Sequence, residues 1–145
     1  MKRILATGTA AVAALGLMAA PAEAASAVQI YRVYFDSPGR DTGSNTSLNG
    51  EWVQLRNTGR TARQLRGYRL RDRTGYTYVF GSYVLRGKAT VKVRTGKGRN
   101  TTANRYWNRR WYVWNNTGDT AYLQYPNKRN ADICSWTAKG DWKYC

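Results

Sequence analysis

The sequence predicts an all-β sandwich. Short runs of β-branched and aromatic residues recur, broken by Gly, Asn, Asp and Ser at intervals of roughly 8–14 residues. Past the first segment no 3.6-residue periodicity of useful length is found. Several runs alternate apolar with polar, as in sheets with one face on a core and one in water. Roughly seven to nine short strands in one domain are expected.

The first segment reads as an address. Met1, Lys2 and Arg3 form a positive head, residues 4–22 carry no charge, and Ala22-Glu23-Ala24 puts small residues at the −3 and −1 positions. This is the pattern of a signal peptide over residues 1–24, leaving a domain over 25–145 and a secreted, extracellular protein, with wall association open. A membrane anchor is the rival, but the run is only just long enough to span and much of it is alanine. Ala25-Ser26-Ala27 offers a second cleavage site, after Ala27.

The strands follow in order. Val28 to Phe35 is the first, and Asp36 to Asn49 is a polar loop. Glu51 to Arg56 alternates, with Val53 and Leu55 on one face, and Asn57-Thr58-Gly59 turns it. Leu65 to Asp72 sets Tyr68 and Leu70 against Arg69 and Arg71; a turn at Gly75 leads to Tyr76 to Phe80. After Val84 and Leu85 comes the clearest alternation: Ala89, Val91 and Val93 oppose Thr90, Lys92 and Arg94. A Gly- and Asn-rich loop over residues 95–103 precedes the aromatic stretch Tyr106 to Trp114. Asn115 to Gly118 is a hairpin signal into Asp119 to Tyr125, and Asp132 to Trp136 is the last strand expected. Gly67 suits a bulge. Trp52, Trp107 and Trp114 can fill space between two sheets, or stack on a ligand.

Cys134 and Cys145 sit close together near the end of the chain. In an exported protein such a pair forms a structural disulfide, and loop-closure entropy suggests about 3 kcal/mol of stabilisation. The spacing is not CxxC, and two thiols alone make a poor metal site.

The run Asn49-Gly50-Glu51-Trp52-Val53-Gln54-Leu55-Arg56-Asn57-Thr58-Gly59 is followed by Leu65-Arg66-Gly67-Tyr68-Arg69-Leu70-Arg71-Asp72. Then come Gly87 before Ala89-Thr90-Val91, and Trp114-Asn115-Asn116-Thr117-Gly118-Asp119. This order and spacing resembles the lamin tail domain, in its bacterial secreted form. The resemblance runs from about Val28 to Tyr125. It implies an immunoglobulin-like β-sandwich that serves interaction or anchoring rather than catalysis. Gln54 stands where that family often has Glu, and Arg86 where it often has Pro.

Charge narrows the functional classes. The chain has 24 Lys+Arg against 8 Asp+Glu, no His, and a net charge of +16. Without histidine there is no Ser-His-Asp triad, Cys-His dyad or imidazole zinc site. The acids are scattered, and nothing marks a glycosidase pair. Asp36 and Asp41 share a loop that could hold calcium but lacks dense oxygen ligands. No cofactor or small-molecule ligand is expected, and no oligomeric state is implied.

A non-catalytic binding module for an anionic polymer is the expected function. Its partner would be a wall polyanion or nucleic acid bound without sequence specificity. The candidate cations are Arg69, Arg71, Lys92, Arg94, Lys97, Arg99, Arg105, Arg109 and Arg110, and the interleaved rings are Tyr106, Trp107, Trp111 and Tyr112. If the strands of Arg69, Arg71, Lys92 and Arg94 share a sheet, they make one solvent-facing cationic strip. The competing readings are charge that only maintains solubility, a structural or adhesive surface part without a specific ligand, and a carboxylate-dependent hydrolase.

Overall fold

A computed structural model describes residues 26–145. The expected signal peptide over 1–24 lies outside them. The described chain is an immunoglobulin-like sandwich of a five-stranded and a four-stranded sheet, with a two-stranded pair beside them.

The elements run β1 (Val28–Tyr34), α1 (Asn45–Gly50), β2 (Trp52–Asn57), β3 (Arg63–Gln64), β4 (Arg69–Arg71), β5 (Thr77–Val79), β6 (Val84–Leu85), β7 (Thr90–Arg94), β8 (Asn104–Tyr106), β9 (Gly118–Gln124), β10 (Asn130–Thr137) and β11 (Trp142–Tyr144). One sheet has the order β11-β1-β2-β7-β8 and the other β10-β9-β4-β5, while β3 pairs β6. Neighbours are antiparallel except β7 and β8, which run parallel.

Alternation does what the sequence predicts. Val28, Ile30, Val33, Val53, Leu55, Val91 and Val93 from the first sheet meet Leu70, Ala121, Leu123 and Cys134 from the second. Each of these side chains is almost fully buried, which contributes about 1.5–3 kcal/mol for each of the larger aliphatic ones. Trp114 and Trp136 close one end: Trp136 stacks on Phe35 at 5.2 Å between centroids, and Trp114 meets Trp136 edge-on at 5.8 Å.

Several expectations are corrected. The polar loop contains the single-turn helix α1, started by Ser44, whose hydroxyl accepts from the Ser47 amide. Leu65 to Asp72 is not one strand, because a turn closed by the Tyr68 amide on the Leu65 carbonyl separates β3 from β4. Gly67 lies in that turn at φ +80°, packed on Pro126, instead of at a bulge. Register shifts fall instead between Ile30 and Arg32 and between Asn130 and Asp132. Beyond Tyr106 the aromatic stretch is irregular, so the Asn115 to Gly118 turn starts β9 without joining two hairpin strands. A final strand, β11, forms where none was expected.

The disulfide Cys134–Cys145 is present, with Cα atoms 5.8 Å apart. Cys134 belongs to β10 and Cys145 ends the segment after β11, so the bond staples one sheet to the edge of the other. It fixes β11 against β1, in the register Arg32 to Tyr144 and Tyr34 to Trp142.

Candidate polyanion-binding face

The register of the five-stranded sheet decides which side chains share its outer face. One row across the sheet reads Tyr144, Arg32, Gln54, Lys92, Asn104. The next reads Trp142, Tyr34, Trp52, Arg94, Tyr106. A third, shorter row carries Gln29, Arg56 and Thr90. The shift after Ile30 leaves Tyr31 exposed beside Tyr144, at 5.4 Å between rings. No Asp or Glu stands at any of these positions.

The two rows are chemically interlocked. The Arg32 guanidinium lies 4.1 Å from the Trp142 ring centroid, 5.1 Å from Tyr144, 5.5 Å from Trp52 and 5.9 Å from Tyr34. Lys92 Nζ sits 4.2 Å from the Trp52 centroid, and Arg56 lies 5.4 Å from Tyr31. Ring faces carry negative potential, so each contact attracts the cation without neutralising it. Trp52 is only 8% exposed, yet it is not between the sheets: it lies on the outer face beneath these cations. Lys92 has its pKa lowered by burial first and then by Arg94 and Arg32. Such crowding of like charge is relieved by any anion laid across the face.

Arg94 is braced. Its Nε donates to Asn104 Oδ1 at 2.7 Å and an Nη to the Asn49 carbonyl at 2.8 Å. Tyr106 is fixed under Gly98, where a Cβ would stand 2.3 Å from the ring.

The other candidate residues go elsewhere. Arg69 and Arg71 are on β4, so their outward face belongs to the opposite sheet, and Arg71 lies 5.0 Å from the Tyr122 ring. The single strip of Arg69, Arg71, Lys92 and Arg94 therefore does not exist; the sandwich divides it. Arg105 pairs in register with inward-facing Val93, and its guanidinium covers Tyr83 at 4.8 Å. Lys97, Arg109 and Arg110 gather around a cleft of about 230 Å³ with Gly43, Asn45 and Leu48. Arg99 is exposed in the loop over 95–103. Trp107 turns into the core against Trp114 and Tyr78, at 5.9 and 6.0 Å. Tyr112 is held by its hydroxyl to Ser47 and the Gly43 amide, while Trp111 is exposed against Gly43.

Of the residues on this face, the sequence reading names Lys92, Arg94 and Tyr106 as candidates and Trp52 as a ring that could stack on a ligand; it does not name Arg32, Tyr34, Trp142 or Tyr144 as candidates. A signal existed: Trp142-Lys143-Tyr144 alternates, and Arg32 breaks an apolar run.

Four of the acids hold backbone. Glu51 is fully buried at the start of β2, its two carboxyl oxygens accepting from the Val113 and Trp114 amides. Burial pushes its pKa up to about 8, against the lowering effect of the hydrogen bonds from the Val113 and Trp114 amides. Asp72 accepts from the amides of Gly75 and Tyr76, both at 2.7 Å, and from the Thr74 hydroxyl. Asp119 accepts from the amides of Arg73, Asn115 and Thr120. Asp132 takes the Ile30 amide at 2.8 Å, tying β10 to β1. Asp36 and Asp41 share the Asn116 amide group, at 3.0 and 3.2 Å. Among the described residues, no group of three or more His, Cys, Asp or Glu is placed to hold a metal ion.

Comparison with known proteins agrees with the fold. A family model described as Lamin Tail Domain matches residues 21–138. The match stops short of β11, so Trp142, Tyr144 and Cys145 lie beyond it. No curated protein matches the chain.

Proposed function

Because this chain belongs to the lamin tail domain family, a structural and non-enzymatic one, we propose that it is an exported binding module for anionic polymers. Its contact surface is the outer face of the five-stranded sheet. One observation carries this reading: Arg32, Arg56, Lys92 and Arg94 stand there among rings with no acid beside them. Guanidinium groups match phosphate and carboxylate oxygens in two-point geometry. A disulfide at the edge of that face supports export into an oxidising compartment. The placement of Glu51, Asp72, Asp119 and Asp132 on backbone amides favours binding over catalysis.

Net charge alone draws any polyanion, so the test must hold it constant. Gln54 lies between Arg32 and Lys92 in register, and Gln54→Glu places one acid at the centre of the face. Arg69→Gln changes net charge by the same amount on the opposite sheet. Retention on immobilised polyphosphate should be weakened several-fold more by Gln54→Glu than by Arg69→Gln. Equal weakening would mean that charge acts without a face, and retention that survives high salt would remove the electrostatic reading altogether.

A further inference from the structure

Phosphate attraction explains the cations of the face but not its rings. The exposed ones are Tyr31 at 36%, Trp142 at 42% and Tyr144 at 52%, and all three cluster around Arg32 and Arg56. Large apolar surface left in water next to cations is unfavourable unless something covers it. Beside Trp142 a cleft of about 270 Å³ is lined by Ser135, Trp136, Thr137, Lys139 and Lys143. Its volume lies just under the range of ~300–1,000 Å³ typical of drug-sized ligands, and a single flat heterocycle is smaller than these. Two indoles, Trp136 and Trp142, line it with two lysines; Lys143 pairs with inward-facing Val33 and is held through its Nζ to the Ser135 carbonyl at 2.6 Å, so this cleft lies at the β11 edge and not on the outer face itself.

Such a surface distinguishes among polyanions. A ringless chain, such as polyphosphate, can use only the charges. A duplex offers phosphates too, but its bases are already stacked on each other and cannot reach protein rings. A single strand offers both parts: flat bases for the rings and phosphates for the cations. Resting on the polyanion reading above, we propose that the preferred ligand is single-stranded nucleic acid. Its bases stack on Trp142, Tyr144 and Tyr31, and its phosphates meet Arg32, Arg56 and Lys92. Trp142 and Tyr144 both come from β11, so the strand that the disulfide secures supplies the part of the site that sees bases. No base-edge reader is needed, since every base has a ring face, and binding is tolerant of sequence.

The experiment is a competition at equal concentration of anionic charge, using the disulfide-bonded chain and a fluorescently labelled 12-nucleotide DNA strand. Competitors are the unlabelled strand, its duplex, polyphosphate and a carboxylated glycan. The single strand should compete at least tenfold better than any of the others. Trp142→Ala/Tyr144→Ala should cut single-strand affinity by tenfold or more while leaving polyphosphate affinity within twofold. Trp142→Phe, which keeps a ring, should restore part of the loss, and circular dichroism confirms that each variant is folded. Polyphosphate, duplex or glycan competing as well as the single strand would overturn the ligand assignment and leave the polyanion reading standing. A folded double variant that keeps its single-strand preference would also overturn it. If no polyanion binds at low salt, both readings fall.

Discussion

Residues that carry the family pattern do structural work, each for a separate reason. The buried Asn57 amide donates to the carbonyls of Thr61 and Leu85 and accepts from the Gly59 backbone amide, which requires the Asn of that run. At Gly87 a Cβ would stand 2.2 Å from the Arg60 carbonyl oxygen, so any side chain there pushes on backbone. Glu51 is the residue with a pH signature. Its pKa is raised from 4.5 to about 8, so the folded state binds its proton more tightly than the unfolded chain does. The stability it contributes is fully present below about pH 4.5 and is lost as pH rises through about 8. Denaturant midpoints should therefore decline across that window, and Glu51→Gln should flatten the decline. The same substitution turns an amide NH₂ toward one of two backbone donors, which should lower stability by about 1–2 kcal/mol at pH 5. At the other end of the domain, the Ala27 carbonyl accepts from both the amide and hydroxyl of Thr58. A chain beginning at Val28 should melt several degrees below one beginning at Ala25, in a calorimetric comparison of the two.

Elements differ in how plainly they could be read. β7 announces itself because it buries one face in strict alternation; β1 and β2 alternate over part of their length, and β9, buried on both faces over much of its own, is marked instead by the turn before it and its apolar run. α1 has one buried residue, Leu48, in six, too few to make a periodic pattern. Tyr106 to Trp114 is rich in strand-forming residues yet irregular after Tyr106, because its rings and amides are claimed by tertiary partners: Trp107 by the core, Tyr112 by Ser47, Val113 and Trp114 by Glu51. That override of local propensity is invisible in composition. β11 was hidden for another reason: all three of its residues are exposed, and the covalent bond, more than burial, secures it. Cys134→Ser/Cys145→Ser should lower stability by about 3 kcal/mol. It should also reduce single-strand affinity towards that for polyphosphate, since two of the stacking rings ride on β11. Denaturant titration and the competition assay read the two effects separately.

At the scale of the whole molecule, a sequence tally of charge cannot say where charge points. The candidate cations from Arg69 to Arg110 are dealt out by the fold to two outward faces, an inner edge, an exposed loop and an end cleft. Lys92 and Arg94 were placed correctly relative to each other because one strand's alternation suffices. Their relation to Arg69 and Arg71 depends on which sheet each strand joins, which is a matter of topology. Salt dependence offers a global measure of what remains on the main face. For a single strand the slope of log affinity against log salt is about −0.7 for each phosphate neutralised. Arg32→Ala/Lys92→Ala should flatten it by roughly 1.4, whereas Arg69→Ala/Arg71→Ala should leave the one-to-one slope nearly unchanged.

On the binding reading proposed above, the division of cations between opposite faces would add a second, weaker contact on the β4 side. Arg69 and Arg71 look away from Arg32 and Lys92, so one molecule can touch two strands that never meet. Mixed with long single-stranded DNA near charge balance, the protein should cross-link the chains into a turbid phase. An excess of either component should clear it, because bridges give way to singly occupied faces. Arg69→Ala/Arg71→Ala, blunted on one side, should bind and stay clear at every ratio when light scattering is followed through the titration.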